Sequence, residues 1–568
     1  MKRLFDEHII RQVTFLDGAW KFAVDKDNVG EEQNFKDGIK SSKTVIVPSV
    51  WNTDLDLLKY EGVCWYERDF YFEGNARLVF EGVMTECKVW LDGEYLGYHY
   101  GGFCQFDFIV TDLKAGVHKL VLKVDNSFNQ EYLADKSVFW FNFGGITRSV
   151  SVEKLNGVAV TYAKFDYKLS DDNKSAEIFF TAELYGADKK KETEFCVTLD
   201  GKKIYSETVA LDKGSLKTLV TEKITINDVK LWDVNNPYLY TVVFSTETDD
   251  LIDKIGFRSI EVKNAKLYLN GRNIEIRGVN RQEDHPEFGV SIPTAIMSRD
   301  LEIIEDMSCN AIRGTFYPNS RVFLDMLDKR GILFWSEIPL SSDAYYEKDL
   351  ANEKVVNLGL QMHKEMVRYY YNHPCIIFWG MHNELRTNLN NARIICEQYY
   401  TFLKNNGGNR LVTYASDRPK EDICFEFCDV ISVSQYFGWK YRTREYWPTF
   451  TEVLSQRCKE LGFENKPVIV SAFGAAAAYG YHTFDDVKWT EEYQAKLLEI
   501  ALQSFHDCPN IAGSFLSQFC DSVSDKNIEK VGTVDNNGIL SGYREPKLAY
   551  NSVKALFHKF KEEVETND

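Results

Sequence analysis

The stretch Cys375-Ile376-Ile377-Phe378-Trp379-Gly380-Met381-His382-Asn383-Glu384 decides how the chain is read. Its first half is apolar at successive positions, as a strand covered on both faces must be. Polarity returns only at its end, as an amide and a carboxylate. Helical patterns flank it at Glu353–Tyr371 and Ala392–Lys404. A buried strand between two helices belongs to a parallel sheet, and the polar end of such a strand faces the side where ligands bind.

Runs of the same kind recur at Ile274–Val279, Ala311–Arg313, Ile332–Trp335, Leu411–Tyr414, Val430–Val433, Val468–Val470 and Ile511–Leu516. Helical patterns at Ser298–Met307, Arg321–Lys329, Thr451–Leu461 and Glu491–Phe505 lie between them. Eight helix-separated strands over residues 263–568 predict a (β/α)8 barrel. The chain before it has a different texture. Short alternating runs such as Arg77-Leu78-Val79-Phe80 and His118 to Val124, with turn signals at Asp92-Gly93 and Gly101-Gly102, predict a β jelly roll over 1–155. Residues 156–262 keep the β pattern, with a turn at Asp200-Gly201, and fit a second, immunoglobulin-like β-sandwich.

Composition excludes several classes. With 67 Lys+Arg against 85 Asp+Glu the chain carries −18, which repels phosphate backbones and anionic leaflets, so neither nucleic acid nor a membrane surface is expected as a partner. No apolar run spans a bilayer, and no apolar segment follows Lys2-Arg3 as in a secretory leader. The 12 Cys are scattered without a C-x-x-C pair, which predicts buried free thiols in a reduced, cytoplasmic protein and no zinc site. Aromatic residues make up 14%, which suits sugar-stacking pockets and large β cores equally.

At the predicted barrel mouth, Glu384 is a candidate general acid/base, its protonated form favoured by a desolvating pocket. Its ordinary alternative is an N-cap or salt bridge at the next helix. Glu337 closes Ile332–Glu337 and is read as structural or sugar-binding rather than as a nucleophile. Glu283 and Asp284 close the first strand and suit sugar binding or barrel order equally. Trp379 is read as core. His382 and His285 lack neighbours at ligand spacing, so no metal and no cofactor is expected.

The barrel opening Leu269-Asn270-Gly271-Arg272-Asn273-Ile274 through Asn280-Arg281-Gln282-Glu283-Asp284 resembles a signature of glycoside hydrolase family 2, with β-glucuronidase-like members most similar. So do Asn310-Ala311-Ile312-Arg313-Gly314-Thr315-Phe316-Tyr317-Pro318 and, in the jelly roll, Asn142-Phe143-Gly144-Gly145-Ile146-Thr147-Arg148. The resemblance covers essentially the whole chain and implies a retaining exo-β-glycosidase acting on a β-glycoside or oligosaccharide. A homo-oligomer is compatible with it. It assigns Asn383 to the sugar 2-hydroxyl, Glu384 to the acid/base role, and Arg313 and Tyr436 to support.

The same resemblance puts a glutamate nucleophile where this chain has Ala472, in Lys466-Pro467-Val468-Ile469-Val470-Ser471-Ala472-Phe473-Gly474. Retaining hydrolysis needs two carboxyls about 5–5.5 Å apart, and a methyl group cannot attack. The expectation is a glycoside hydrolase inactive as written. Retention of Arg313, Asn383, Glu384 and Tyr436 favours replacement of a working nucleophile over a natural, non-catalytic sugar binder.

Departures from the resemblance bear on the sugar. Glucuronidases show Asn-x-Lys after the last strand, where amide and ammonium clamp a uronate. Here Val534-Asp535-Asn536-Asn537 places Asp535 and Asn537 in those positions. Phe139 stands where an aspartate is usual, Phe316 and Gln282 where histidines are, and Ser517 where a tryptophan is. Lys440, after Trp439, takes a frequent tyrosine position and offers a replacement charge. Trp439 is a further pocket candidate. Together these changes point to a neutral sugar such as a β-glucoside or β-galactoside. The short segment between Glu337 and Gln361 predicts an open mouth.

Overall fold

The computed structural model describes residues 2–128, 133, 140–189, 191–341, 345, 347–524 and 534–567. In the first domain two long strands, Val63–Phe80 and Phe106–Asp125, pair antiparallel from Val63 opposite Asp125 to Phe80 opposite Phe106. Leu120, Leu122 and Val124 point into one core with Leu78 and Phe80, as the period-2 pattern requires. Val121 breaks the alternation because the opposite face is also covered, by Trp65 stacked on Trp90 at 5.3 Å. The second domain packs two four-stranded sheets around Phe165, Phe180, Phe195 and Phe244.

The third domain is a closed parallel barrel of β1 (Ile276–Arg281), β2 (Ala311–Gly314), β3 (Leu333–Glu337), β4 (Ile376–Asn383), β5 (Leu411–Ser416), β6 (Ile431–Ser434), β7 (Val468–Ala472) and β8 (Ile511–Leu516). Each strand coincides with a predicted run to within a few residues. Around it lie α1 (Thr294–Asp306), α2 (Arg321–Arg330), α3 (Glu353–Tyr370), α4 (Asn390–Asn406), α5 (Trp447–Glu460), α6 (Glu491–His506) and α7 (Leu548–Asn567). The sequence reading did not anticipate α7, although Ala549, Val553, Phe557 and Phe560 form a buried helical stripe. A further short helix, Glu347–Leu350, lies in the segment predicted to be short.

Inside the barrel, Trp335 meets Phe378 and Phe515 edge-on at 5.9 and 5.7 Å. Trp379 is core, its indole N–H donating to the Gly407 carbonyl at 3.0 Å. Gly380 is required by packing: a Cβ there would lie 2.3 Å from the Trp335 indole nitrogen and 2.5 Å from Glu337 Cβ. That close approach lets Glu337 turn inward beneath the mouth.

Three domains are joined by buried ions. Arg3 donates to Asp325 of α2 at 2.7 and 2.6 Å, and to Asp253 of the sandwich at 3.3 Å. Arg11 bridges Asp249 of the sandwich and Glu153 of the jelly roll at 2.7 and 2.6 Å. Asp325, Asp328 and His373 group closely enough to suggest a cation site. The Arg3 guanidinium neutralises that group, and Asp328 accepts the Cys375 N–H at 2.9 Å at the foot of β4. All 12 cysteines are free thiols, ten of them buried. No helix among the described residues is long and apolar enough to cross a membrane.

Candidate active site

The C-terminal ends of β2, β3, β4, β6 and β7 bring Arg313, Glu337, Asn383, Glu384, Tyr436 and Ala472 to one side of the barrel. Arg313 is the fixed point. It is fully buried, lies over the Trp335 ring at 4.4 Å, and donates from Nη2 to both Glu337 at 2.8 Å and the Asn383 carbonyl oxygen at 2.9 Å. With its oxygen held there, the Asn383 amide is oriented, and its NH2 donates to Ser341 Oγ at 3.0 Å. The backbone N–H of Asn383 reaches Leu340 O at 2.9 Å.

Glu384 follows with φ of 52°, in the left-handed region, its N–H bonded to Ala415 O at 2.9 Å. Such a conformation costs about 1–3 kcal/mol and is characteristic of functional positions. It turns the carboxyl off the strand line toward β6, where the Ser434 hydroxyl donates to it. Ser434 is also the register partner of Ala472 on β7, and its Oγ lies 3.2 Å from Ser471 Oγ. One serine thus links the acid candidate to the strand end bearing Ala472, itself only 4% exposed.

Electrostatics bias both carboxyls toward protonation. Burial pushes Glu337 up to about 7 against the pull of Arg313, and the charge of Glu384 adds to the rise. Glu384 is raised by burial first and by Asp417 second, while Lys440, Ser434 and Arg313 oppose. Glu337 accepts from Arg313 Nη2 at 2.8 Å while burial favours its protonated form. Tyr436 is the hub: burial and the charges of Glu384 and Asp535 raise its phenol, which is hydrogen-bonded to Ser517. Lys440 places its ammonium 4.2 Å from the Tyr436 ring.

The remaining predicted residues fall around this centre. The jelly roll reaches over the mouth, with Trp140 stacked on Phe316 at 5.9 Å and Phe103 on Tyr317 at 4.2 Å. Phe316 also lies 5.4 Å from the Arg313 guanidinium carbon. Phe139 lies outside the described residues. Gln282 is buried, and its carbonyl oxygen has no partner among the described residues. Asp284 holds the Val523 N–H at 2.9 Å, and burial raises its carboxyl to about 6. Glu283 is engaged in structure, accepting from Ser320 Oγ at 2.7 Å and from Arg148 of the jelly roll at 2.9 Å. Asn537 donates its NH2 to Asp535 at 2.6 Å, leaving its buried carbonyl oxygen unpartnered among the described residues. Trp439 is half-buried, edge-on to Trp489 at 5.0 Å.

Sequence reasoning missed Ser434, Ser341, Asp417 and Trp140. Ser434 carried a usable signal, since it ends the predicted Val430–Val433 run.

Comparison with known proteins covers the whole architecture. Family models described as glycosyl hydrolases family 2 match the sugar-binding domain at residues 13–156, the middle domain at 158–258 and the TIM barrel domain at 260–562. A family 2 β-galacturonidase from Eisenbergiella tayi, solved with galacturonate, is 30% identical and superposes with a TM-score of 0.92 over 98% of this chain and 99% of that one. A β-glucuronidase of Streptococcus agalactiae is 25% identical over 95% of each chain. A β-galactosidase of Thermoanaerobacterium thermosulfurigenes is 27% identical over 66% of this chain and 54% of its own. The three matched modules and the full-length likeness establish that the chain belongs to glycosyl hydrolase family 2.

Proposed function

We propose that the site is that of a retaining exo-β-glycosidase in which Glu384 is the general acid/base, Asn383 binds the sugar beside the reacting carbon, and residue 472 is the nucleophile position. The observation that carries the reading is the Ala472–Ser434–Glu384 link, with Arg313 and Asn383 holding the same corner of the barrel. Attack on the anomeric carbon needs a carboxylate on the face opposite a proton donor. Ala472 supplies only a methyl, so this chain binds a terminal β-linked sugar without hydrolysing it. Trp140 and Phe316, closing one side of the mouth, support recognition of a chain end.

For the sugar, the reading is a neutral β-hexoside. Asp535 takes the Asn537 NH2, which leaves the buried amide oxygen as the group a sugar reaching this position would meet. An acceptor takes a hydroxyl and repels a carboxylate. A second reading, a β-uronoside, is favoured by Lys440 beside Tyr436 and by the galacturonidase and glucuronidase named above. Restoring the carboxylate with Ala472→Glu and assaying aryl β-glucoside, galactoside, glucuronide, galacturonide, mannoside and fucoside tests both. Turnover of a hexoside above either uronoside is the expected result. No turnover of any member overturns the enzyme reading.

A further inference from the structure

Lys547 stands just before α7, and its side chain is fully buried. An ammonium has three protons to donate and accepts nothing, and here each proton has an acceptor on a different segment. They are the Ala477 carbonyl beyond the end of β7 at 2.7 Å, the Asp521 carboxylate beyond the end of β8 at 2.7 Å, and the Asn536 carbonyl at 3.1 Å. The same Asp521 oxygen accepts the Gly538 N–H at 3.0 Å, so both neighbours of Asn537 are fixed from one point. Gln494 of α6 completes the hold, its NH2 donating to Ala475 O at 2.8 Å and to Gly538 O at 3.1 Å. The segment so held lies against the site. Asn537 O accepts the Gln518 N–H at 3.0 Å, next to Ser517 and its bond to Tyr436, and the charge of Asp535 acts on the Tyr436 phenol. Stability alone does not call for a lysine here, because a buried ion pair replaced by apolar groups of similar volume is often no less stable. An apolar side chain cannot, however, hold three segments at hydrogen-bond distance.

We propose that Lys547 is a positioning residue for sugar binding, its ammonium setting the 536–538 segment against the strand end that carries residue 472. The inference rests on the glycosidase reading, which makes the unpartnered Asn537 side-chain oxygen a contact of the bound sugar. Ala477 lies five residues past Ala472, so the clamp fixes that oxygen relative to the side of the barrel from which the anomeric carbon is attacked. All three protons of the ammonium are spent on the clamp, so Lys547 gives no hydrogen bond to Glu384. It acts on binding and leaves the proton transfer alone. Loss of binding shared by ground and transition states raises KM and leaves kcat unchanged.

The test reads binding and chemistry separately. Each of the aryl β-glycosides named above is titrated calorimetrically into the full-length chain, and the tightest is kept. Expected for Lys547→Met is a Kd about tenfold higher at unchanged stoichiometry, the worth of roughly one hydrogen bond to the sugar. Lys547→Met combined with Asp521→Asn removes the carboxylate that the single variant strands, so the same rise is expected without a buried charge to hinder folding. Lys554→Met, which breaks a surface pair with Asp306 on the same helix, should match the parent. In the Ala472→Glu background, KM should rise by the same factor while kcat on an activated aryl glycoside stays within about twofold. A Kd within about twofold of the parent in both Lys547 variants overturns the inference, as does a fall in stoichiometry alone, since misfolding removes sites without weakening those that remain. A fall in kcat at unchanged KM overturns it too. Hydrolysis by Ala472→Glu that is indifferent to Lys547 spares the proposed function and sinks only this inference. No binding by the parent together with no hydrolysis by Ala472→Glu takes both down.

Discussion

Replacing Arg3 by alanine is the most discriminating test of how the three domains are held. The guanidinium is 5% exposed and makes two short bonds to Asp325, with further bonds to Glu7 at 3.0 Å and Asp253 at 3.3 Å. Without it, Asp325 keeps one backbone donor, Leu4 N–H at 3.2 Å, and remains buried. Removing one partner of a buried pair costs about 3–5 kcal/mol because the other charge is left uncompensated. Lys2→Ala is the control: the Lys2–Asp6 pair is 62% and 66% exposed, and such surface pairs contribute about 0–1 kcal/mol. The assay is urea unfolding, read at the first transition because a three-domain chain is not expected to be two-state. Adding Asp325→Asn to Arg3→Ala removes the stranded charge, so the double variant should be more stable than the single one. An Arg3→Ala protein within about 1 kcal/mol of the parent, or no recovery in the double variant, refutes this account of the junction.

Four further outcomes follow from the site. In the Ala472→Glu background, Glu384→Gln should slow glycosides with poor leaving groups by about 10²–10⁴ while leaving activated phenols much less affected; equal slowing removes Glu384 from the acid role. In the same background, Asp417→Asn takes away a charge that raises Glu384, so the acid is lost at lower pH and the alkaline limb of kcat/KM moves down. Lys440→Met removes an opposing charge and should move that limb up, so shifts in the same direction for both would contradict the electrostatics described. Asn537→Lys places a donor where an acceptor now stands, and should raise uronoside turnover relative to hexoside; the ratio of kcat/KM values on the two aryl glycosides is the readout.

The barrel was legible because its strands are short, largely apolar runs separated by helical patterns, a combination with few other uses. The mouth was legible by position: Asn383, Glu384 and Ala472 end such runs. What was not legible depends on contacts between distant segments. Ser434 matters because β6 pairs with β7 in a register that sets it against Ala472, and no local pattern encodes that register. Trp140 matters because the jelly roll folds across the barrel. Glu283, left open between sugar binding and order, is engaged by Arg148 from another domain. The helix α7 was missed because Lys and Glu residues surround its narrow apolar stripe, and α1 begins earlier than expected because Pro293 precedes Thr294 at its start.

The stacking of Trp140 on Phe316 has a consequence for how such a pocket changes over time. The candidate residues on the strand tips are inherited with the barrel, whereas the ring stacked on Phe316 comes from the jelly roll. Mutations in the jelly roll can reshape this wall without changing any residue on the strand tips. Selectivity and chemistry are then free to drift on different domains, and a graft of the first domain alone becomes a route to new specificities.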